Sequence, residues 1–98
     1  MYAFVVLKYE APLERILQTT DRHRAWLRTL HADGKLVASG PFVPREGGGL
    51  LMRVADEAEL DAILAQDPYD QEKLISRKIH IWAPNIGEQG LDSLPLKP

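Results

Sequence analysis

The sequence has no cysteine, and this removes three kinds of chemistry at once. There is no disulfide framework, no thiolate nucleophile and no thiolate metal site. Nor is there an excess of positive charge. Its 12 basic and 14 acidic side chains are interspersed and leave a formal net charge of −2. Without a broad positive field, no nucleic-acid partner is expected. Long hydrophobic runs are missing too. The first apolar stretch is ended by Lys8, far short of the ~20 residues a membrane-spanning helix needs. No membrane partner is expected. No basic region with a cleavage site precedes the first strand, so no signal peptide is read. The expected location is the cytoplasm, whose reducing conditions suit a chain without disulfides.

What is present fits one domain of 98 residues. A chain of this size buries only roughly 60–65% of its unfolded surface and is marginal alone. Residues Tyr2 to Tyr9 are almost continuously apolar and β-prone, the pattern of a strand covered on both faces. Pro12 suits the first turn of a helix. From Leu13 to about Asp33, apolar side chains recur at three- and four-residue spacing, and Gly34 is a natural stop. Lys35 to Phe42 reads as a second strand and Leu50 to Ala55 as a third. The Gly47-Gly48-Gly49 run between them lacks a Walker lysine and reads as a flexible loop. Asp56 is placed to cap a helix running to about Gln66, with Glu59 set for a capping box. Leu74 to Ala83 is the fourth strand. The domain is read as 1–84, and 85–98 as an irregular tail, a candidate arm against a neighbour.

The order is βαββαβ, the ferredoxin-like arrangement of an α+β domain. It implies a four-stranded antiparallel sheet with two helices on one face. Tyr2, Phe4 and Val6 then lie on one side of the first strand, and Ala3, Val5 and Leu7 on the other. Only one set can meet the helices. The open face needs a cover, most simply the same face of a second copy, which makes a homodimer.

Two residues carry the chemical interest. His23 lies on the apolar stripe of the first helix, sharing a face with Trp26 and Leu27. Imidazole is the side chain best suited to moving protons near neutral pH. Asp67 opens an Asp67-Pro68-Tyr69 turn before the last strand. A carboxylate beside the ring would fix its tautomer and stabilise its charged form. The plain alternatives are a core histidine satisfied by one hydrogen bond and an aspartate that starts a turn. Ser39, Gly40 and Pro41 end the second strand. Gly40 allows a close approach to the backbone, and Ser39 is a hydrogen-bonding group for a ligand. No nucleophile elbow surrounds Ser39. Tyr69 is a candidate pocket wall and Arg22 a candidate anchor for an anionic substrate. The three histidines are widely separated and lack metal-ligand spacing, so neither a metal nor another cofactor is expected.

These residues resemble the YCII-related (YciI-like) family. The resemblance rests on His23-x-x-Trp26-Leu27, on the stretch Leu30 to Leu36, on Ser39-Gly40-Pro41 and on Asp67-Pro68-Tyr69. It covers most of the chain but not the tail. It implies a dimeric α/β-barrel with His23 and Asp67 as an active-site dyad. Dehydrochlorination of a ring compound is known within the family. Related dimeric barrels host isomerases, monooxygenases and haem proteins, so the fold does not select a reaction. Two positions depart from the family pattern: Thr20 stands where an arginine is often found, and no glycine follows the Asp-Pro turn around Gln71 to Lys73. The resulting expectation is a small lyase or isomerase acting by proton abstraction on a small organic, possibly cyclic, substrate. The competing expectation is a non-enzymatic small-ligand-binding or assembly domain.

Overall fold

The computed structural model describes residues 1–87. Its elements are β1 (Tyr2–Tyr9), α1 (Leu13–Leu17), α2 (Thr20–Ala32), β2 (Leu36–Pro41), β3 (Gly47–Arg53), α3 (Glu57–Leu64), α4 (Pro68–Gln71) and β4 (Ile75–Trp82). The four strands form one antiparallel sheet in the order β2-β3-β1-β4. This is the ferredoxin-like α+β arrangement that the pattern predicts. All but the first residues of the expected tail lie outside the described residues.

Ala3, Val5 and Leu7 of β1 point to the helices and are buried. They join Leu50 and Met52 of β3, Ile16, Leu30, Leu60 and Leu64 in one core cluster. Phe4, Val6 and Leu51 face the other way and are only half buried, while Trp82 is largely exposed. Tyr2, on the same side, is buried apart from the core cluster, its ring centroid 6.5 Å from that of Trp82.

Three local expectations change. The first helix is two helices, broken at Gln18 and Thr19. The apolar period continues through the break, but Thr19 turns its hydroxyl to Glu72 instead of continuing α1. The glycine run is not a flexible loop; it is the start of β3, paired with β1 and β2. A Cβ on Gly47 would lie 1.9 Å from the Leu7 carbonyl oxygen, and one on Gly48 2.8 Å from that of Gly40. These strands pack too closely for side chains there, and composition alone does not reveal that. Conversely, a Cβ on Gly40 would meet nothing within 4 Å. Finally, the Asp67-Pro68-Tyr69 turn opens the single-turn helix α4.

Other signals act as read. Gly34 takes φ +76° after α2. Its N–H donates to His31 O and that of Lys35 to Leu30 O, closing the helix. The Asp56 carboxylate accepts from Glu59 N at 2.8 Å, and Glu59 reaches back to Ala55 N at 3.0 Å. That backbone donor, with Lys35, holds the Glu59 carboxyl below the usual carboxylate range. Among the described residues no helix is long and apolar enough to cross a membrane.

Candidate active site

One irregularity in β2 decides which side chains the site contains. A bulge between Leu36 and Ala38 shifts the register with β3. Without it Ser39 would alternate onto the open face. With it Ser39 pairs with Leu50 and Pro41 with Gly48. Leu50 is buried toward the helices, so Ser39 and Pro41 turn the same way and line a cavity beneath α2.

The cavity has a volume of about 170 Å³. His23, Thr20 and Leu27 of α2 line one side, and Leu7, Leu50 and the glycines of β3 the floor. Tyr69 of α4, Tyr9 and Arg45 close the end, and Ser39, Gly40 and Pro41 complete the rim. A cavity of about 150 Å³ holds a benzene ring, so this one matches a single-ring compound. A second depression of about 550 Å³ adjoins it and shares Leu7, Tyr9 and Arg45.

His23 sits in the first turns of α2 and is 7% exposed. Its Nδ1 lies 2.7 Å from Oδ1 of Asp67, which is 0% exposed. Chain connectivity explains how a residue 44 positions away arrives there. Leu64 ends α3, and Asp67 immediately caps α4, accepting from Tyr69 N through the same Oδ1 at 2.9 Å. Pro68 fills the first helical position, where its missing N–H is no loss. The cap therefore fixes the carboxylate through a contact that does not involve the histidine. An ionised carboxylate can only accept, so Nδ1 carries the proton and the neutral ring presents the Nε2 lone pair. Nε2 makes no hydrogen bond among the described residues, and the ring lines the cavity. Asp67 Oδ2 and Trp26 Nε1 are buried without hydrogen-bond partners among the described residues.

Tyr69 stacks on the imidazole, with centroids 3.9 Å apart and planes at 13°. Trp26 packs on it at 5.7 Å. The Tyr69 hydroxyl lies 2.7 Å from Thr20 Oγ1. Thr20 donates its own proton to Ile16 O, so it is Tyr69 that donates to Thr20. Burial pushes the Tyr69 phenol above its usual range. The ring is thereby held neutral and locked in place against His23.

Arg22 does not line this cavity. It pairs with Glu72, which also takes Arg15 and the Thr19 hydroxyl. Those donors, Arg15 first, hold the Glu72 carboxyl below the usual range. The arginines that do line the cavity are Arg24 and Arg45. Arg45 lies in the β2–β3 connection, outside any motif, so neither spacing nor periodicity points to it. Tyr9 also lines the cavity, as does Thr20, which stands where the family pattern often has an arginine. Thr20 lies three positions before His23, on the same helix face. His31 and His80 are exposed and far from His23 in the fold. Among the described residues, no group of three His, Asp or Glu side chains could hold a metal ion.

No curated protein matches the chain. A solved structure, 5-chloro-2-hydroxyhydroquinone dehydrochlorinase (TftG) from Burkholderia phenoliruptrix AC1100 in complex with 2,5-dihydroxybenzoquinone, has the same fold. Its TM-score is 0.74 at 20% identity, over 84% of this chain and 93% of the other. The model of the YCII-related domain matches residues 1–83. By that match, which takes in every strand and helix described above, the chain belongs to the YCII-related family.

Proposed function

We propose that this protein is a small-molecule enzyme in which His23 is a general base oriented by Asp67. The observation that carries the reading is the buried 2.7 Å contact between Nδ1 and Oδ1, on the edge of a ring-sized cavity. Asp67 holds the tautomer that leaves Nε2 unprotonated, the form a base requires. Nε2 takes a proton from a substrate carbon, and the C–H electron pair moves toward a neighbouring carbonyl oxygen. Return of the proton at another carbon is isomerisation. Departure of a leaving group with its electron pair is elimination. The structural neighbour, by its name a dehydrochlorinase, supports the second outcome and a cyclic substrate. Ser39, Gly40, Pro41 and Tyr69 form the surface against which the ring lies. The half-buried Phe4, Val6 and Leu51 face is taken as the dimer surface, and the cytoplasm as the location.

The test offers chlorinated hydroxyhydroquinones and cyclic ketones to the purified chain in deuterated water. Chloride release or deuterium uptake is the readout. Substituting His23→Gln should slow either reaction by about 10²-fold or more while circular dichroism stays unchanged. An unchanged rate in that variant removes His23 as the base. Tight binding across the panel with neither reaction favours the ligand-binding reading.

A further inference from the structure

The formally charged side chains that line the cavity have one sign. Two of its lining side chains are arginines, Arg24 and Arg45, and none is an aspartate or glutamate. Arg15, Arg22 and Arg77 each have a carboxylate partner. Arg24 and Arg45 have none among the described residues. Glu46 lines the adjoining depression rather than the cavity. Two guanidinium groups without carboxylate partners, the exposed Arg24 and the half-buried Arg45, set a positive potential over the apolar floor of the cavity.

Arg45 is also held in position. Its Nε donates to the Tyr9 hydroxyl at 3.0 Å, and its Cζ lies 6.0 Å from the centre of that ring. Its Nη groups have no carboxylate partner among the described residues and remain able to grip an oxyanion. Its other neighbour is the Tyr69 hydroxyl, whose proton is already committed to Thr20. The Tyr69 hydrogen is therefore not available to compete for the anion. The same Tyr69 ring is stacked on His23. The imidazole thus lies over the face of one aromatic ring, and the guanidinium stands near that ring's hydroxyl.

We propose that the cavity takes a small single-ring oxyanion, a phenolate or carboxylate, gripped by Arg45 with Arg24 at the rim, and that Arg45 stabilises the charge formed as His23 removes a proton. The first part stands on the arginines alone. The second rests on the general-base reading above. As Nε2 takes the proton, the C–H electron pair ends on the substrate oxygen that faces Arg45. The guanidinium is already oriented there, so the new charge meets a fixed donor with no reorganisation.

The experiment uses the full chain and two isosteric probes, benzoate and benzamide, with affinities read by calorimetry. Benzoate should bind about tenfold tighter than benzamide, and less tightly as salt is raised. Arg45→Gln should lose about tenfold or more for benzoate and little for benzamide. Arg45→Lys, which keeps the charge but not the planar fork, should fall between. It also serves if the glutamine variant misfolds. Arg28→Gln, on the exposed side of α2, should leave both affinities unchanged. Equal affinity for the two probes, no loss in either Arg45 variant, or no benzoate binding at millimolar concentration overturns the anion site. His23→Gln separates the two readings. Benzoate binding retained with turnover lost supports both. Turnover retained sinks the base while leaving the anion site standing.

Discussion

Replacing Asp67 is the sharpest probe of how the site is held. Its Oδ1 accepts two hydrogen bonds, from His23 and from Tyr69 N, and the residue is fully buried. Asp67→Ala removes a helix cap, worth about 1 kcal/mol. It also leaves the His23 Nδ1 proton unpaired in the interior, at about 1–3 kcal/mol. The expected loss is about 3 kcal/mol, a large share of the 5–15 kcal/mol typical of a domain. With a urea slope of about 1.5 kcal/mol per molar, the midpoint should fall by about 2 M. Asp67→Asn is different. Its amide oxygen can take the place of Oδ1 and accept both bonds, so only the charge assistance is lost, about 1 kcal/mol. The midpoint should fall by less than about 1 M. The assay is urea denaturation followed by far-ultraviolet circular dichroism, at one protein concentration because association would shift the midpoint. A loss under about 1 kcal/mol in Asp67→Ala would refute the double-acceptor account. Equal losses in the two variants would show that charge, not hydrogen-bond geometry, holds the histidine.

The glycine run and the Glu72 cluster give two further predictions. Gly47→Ala should cost about 3 kcal/mol or more, because backbone blocks the new methyl. Gly49→Ala should cost only about 1 kcal/mol, because its Cβ would meet the far end of the Phe4 ring, 2.7 Å from Cζ, and that ring can swing. Thermal melts showing the reverse order would contradict the strand packing. Glu72 is held below its ordinary value of 4.5 by Arg15 and Arg22. A depressed folded value means that its contribution is present above pH 4.5 and lost as pH falls through the lower value. Stability of Glu72→Gln should therefore depend less on pH in that window than stability of the parent. A Glu72 carbon resonance titrating at the ordinary value would remove the cause.

Much of the fold was legible because burial is written in period. The alternation in Tyr2–Tyr9 separates Ala3, Val5 and Leu7 from Phe4 and Val6 without reference to any neighbour. Where the neighbour decides, the sequence was silent. Thr19 breaks a helix because Glu72 is there to receive its hydroxyl. Gly47 and Gly48 are strand residues because other backbones press on them. The site divides in the same way. His23 and Asp67 could be named as candidates from their chemistry and their resemblance to a family, but not measured against each other. Among the helix arginines Arg22, Arg24 and Arg28, the sequence reading favours Arg22 as the anion anchor, yet Arg24 is the one of the three that lines the cavity. In space Glu72 takes Arg22, and a loop residue 22 positions beyond His23 replaces it at the cavity. The bulge that turns Ser39 inward leaves no mark in composition at all.

The bulge in β2 also sets how the chain can change. Removing the bulge while Leu36 stays opposite Met52 in the core would leave the sheet hydrogen-bonded but would rotate Ser39 and Pro41 out of the cavity and turn the Ala38 side chain in. A substitution that straightens the bulge, between Leu36 and Ser39, therefore changes the cavity lining while leaving Leu36 in the core. A strand that looks like scaffold is, in mutational terms, a selector with discrete settings.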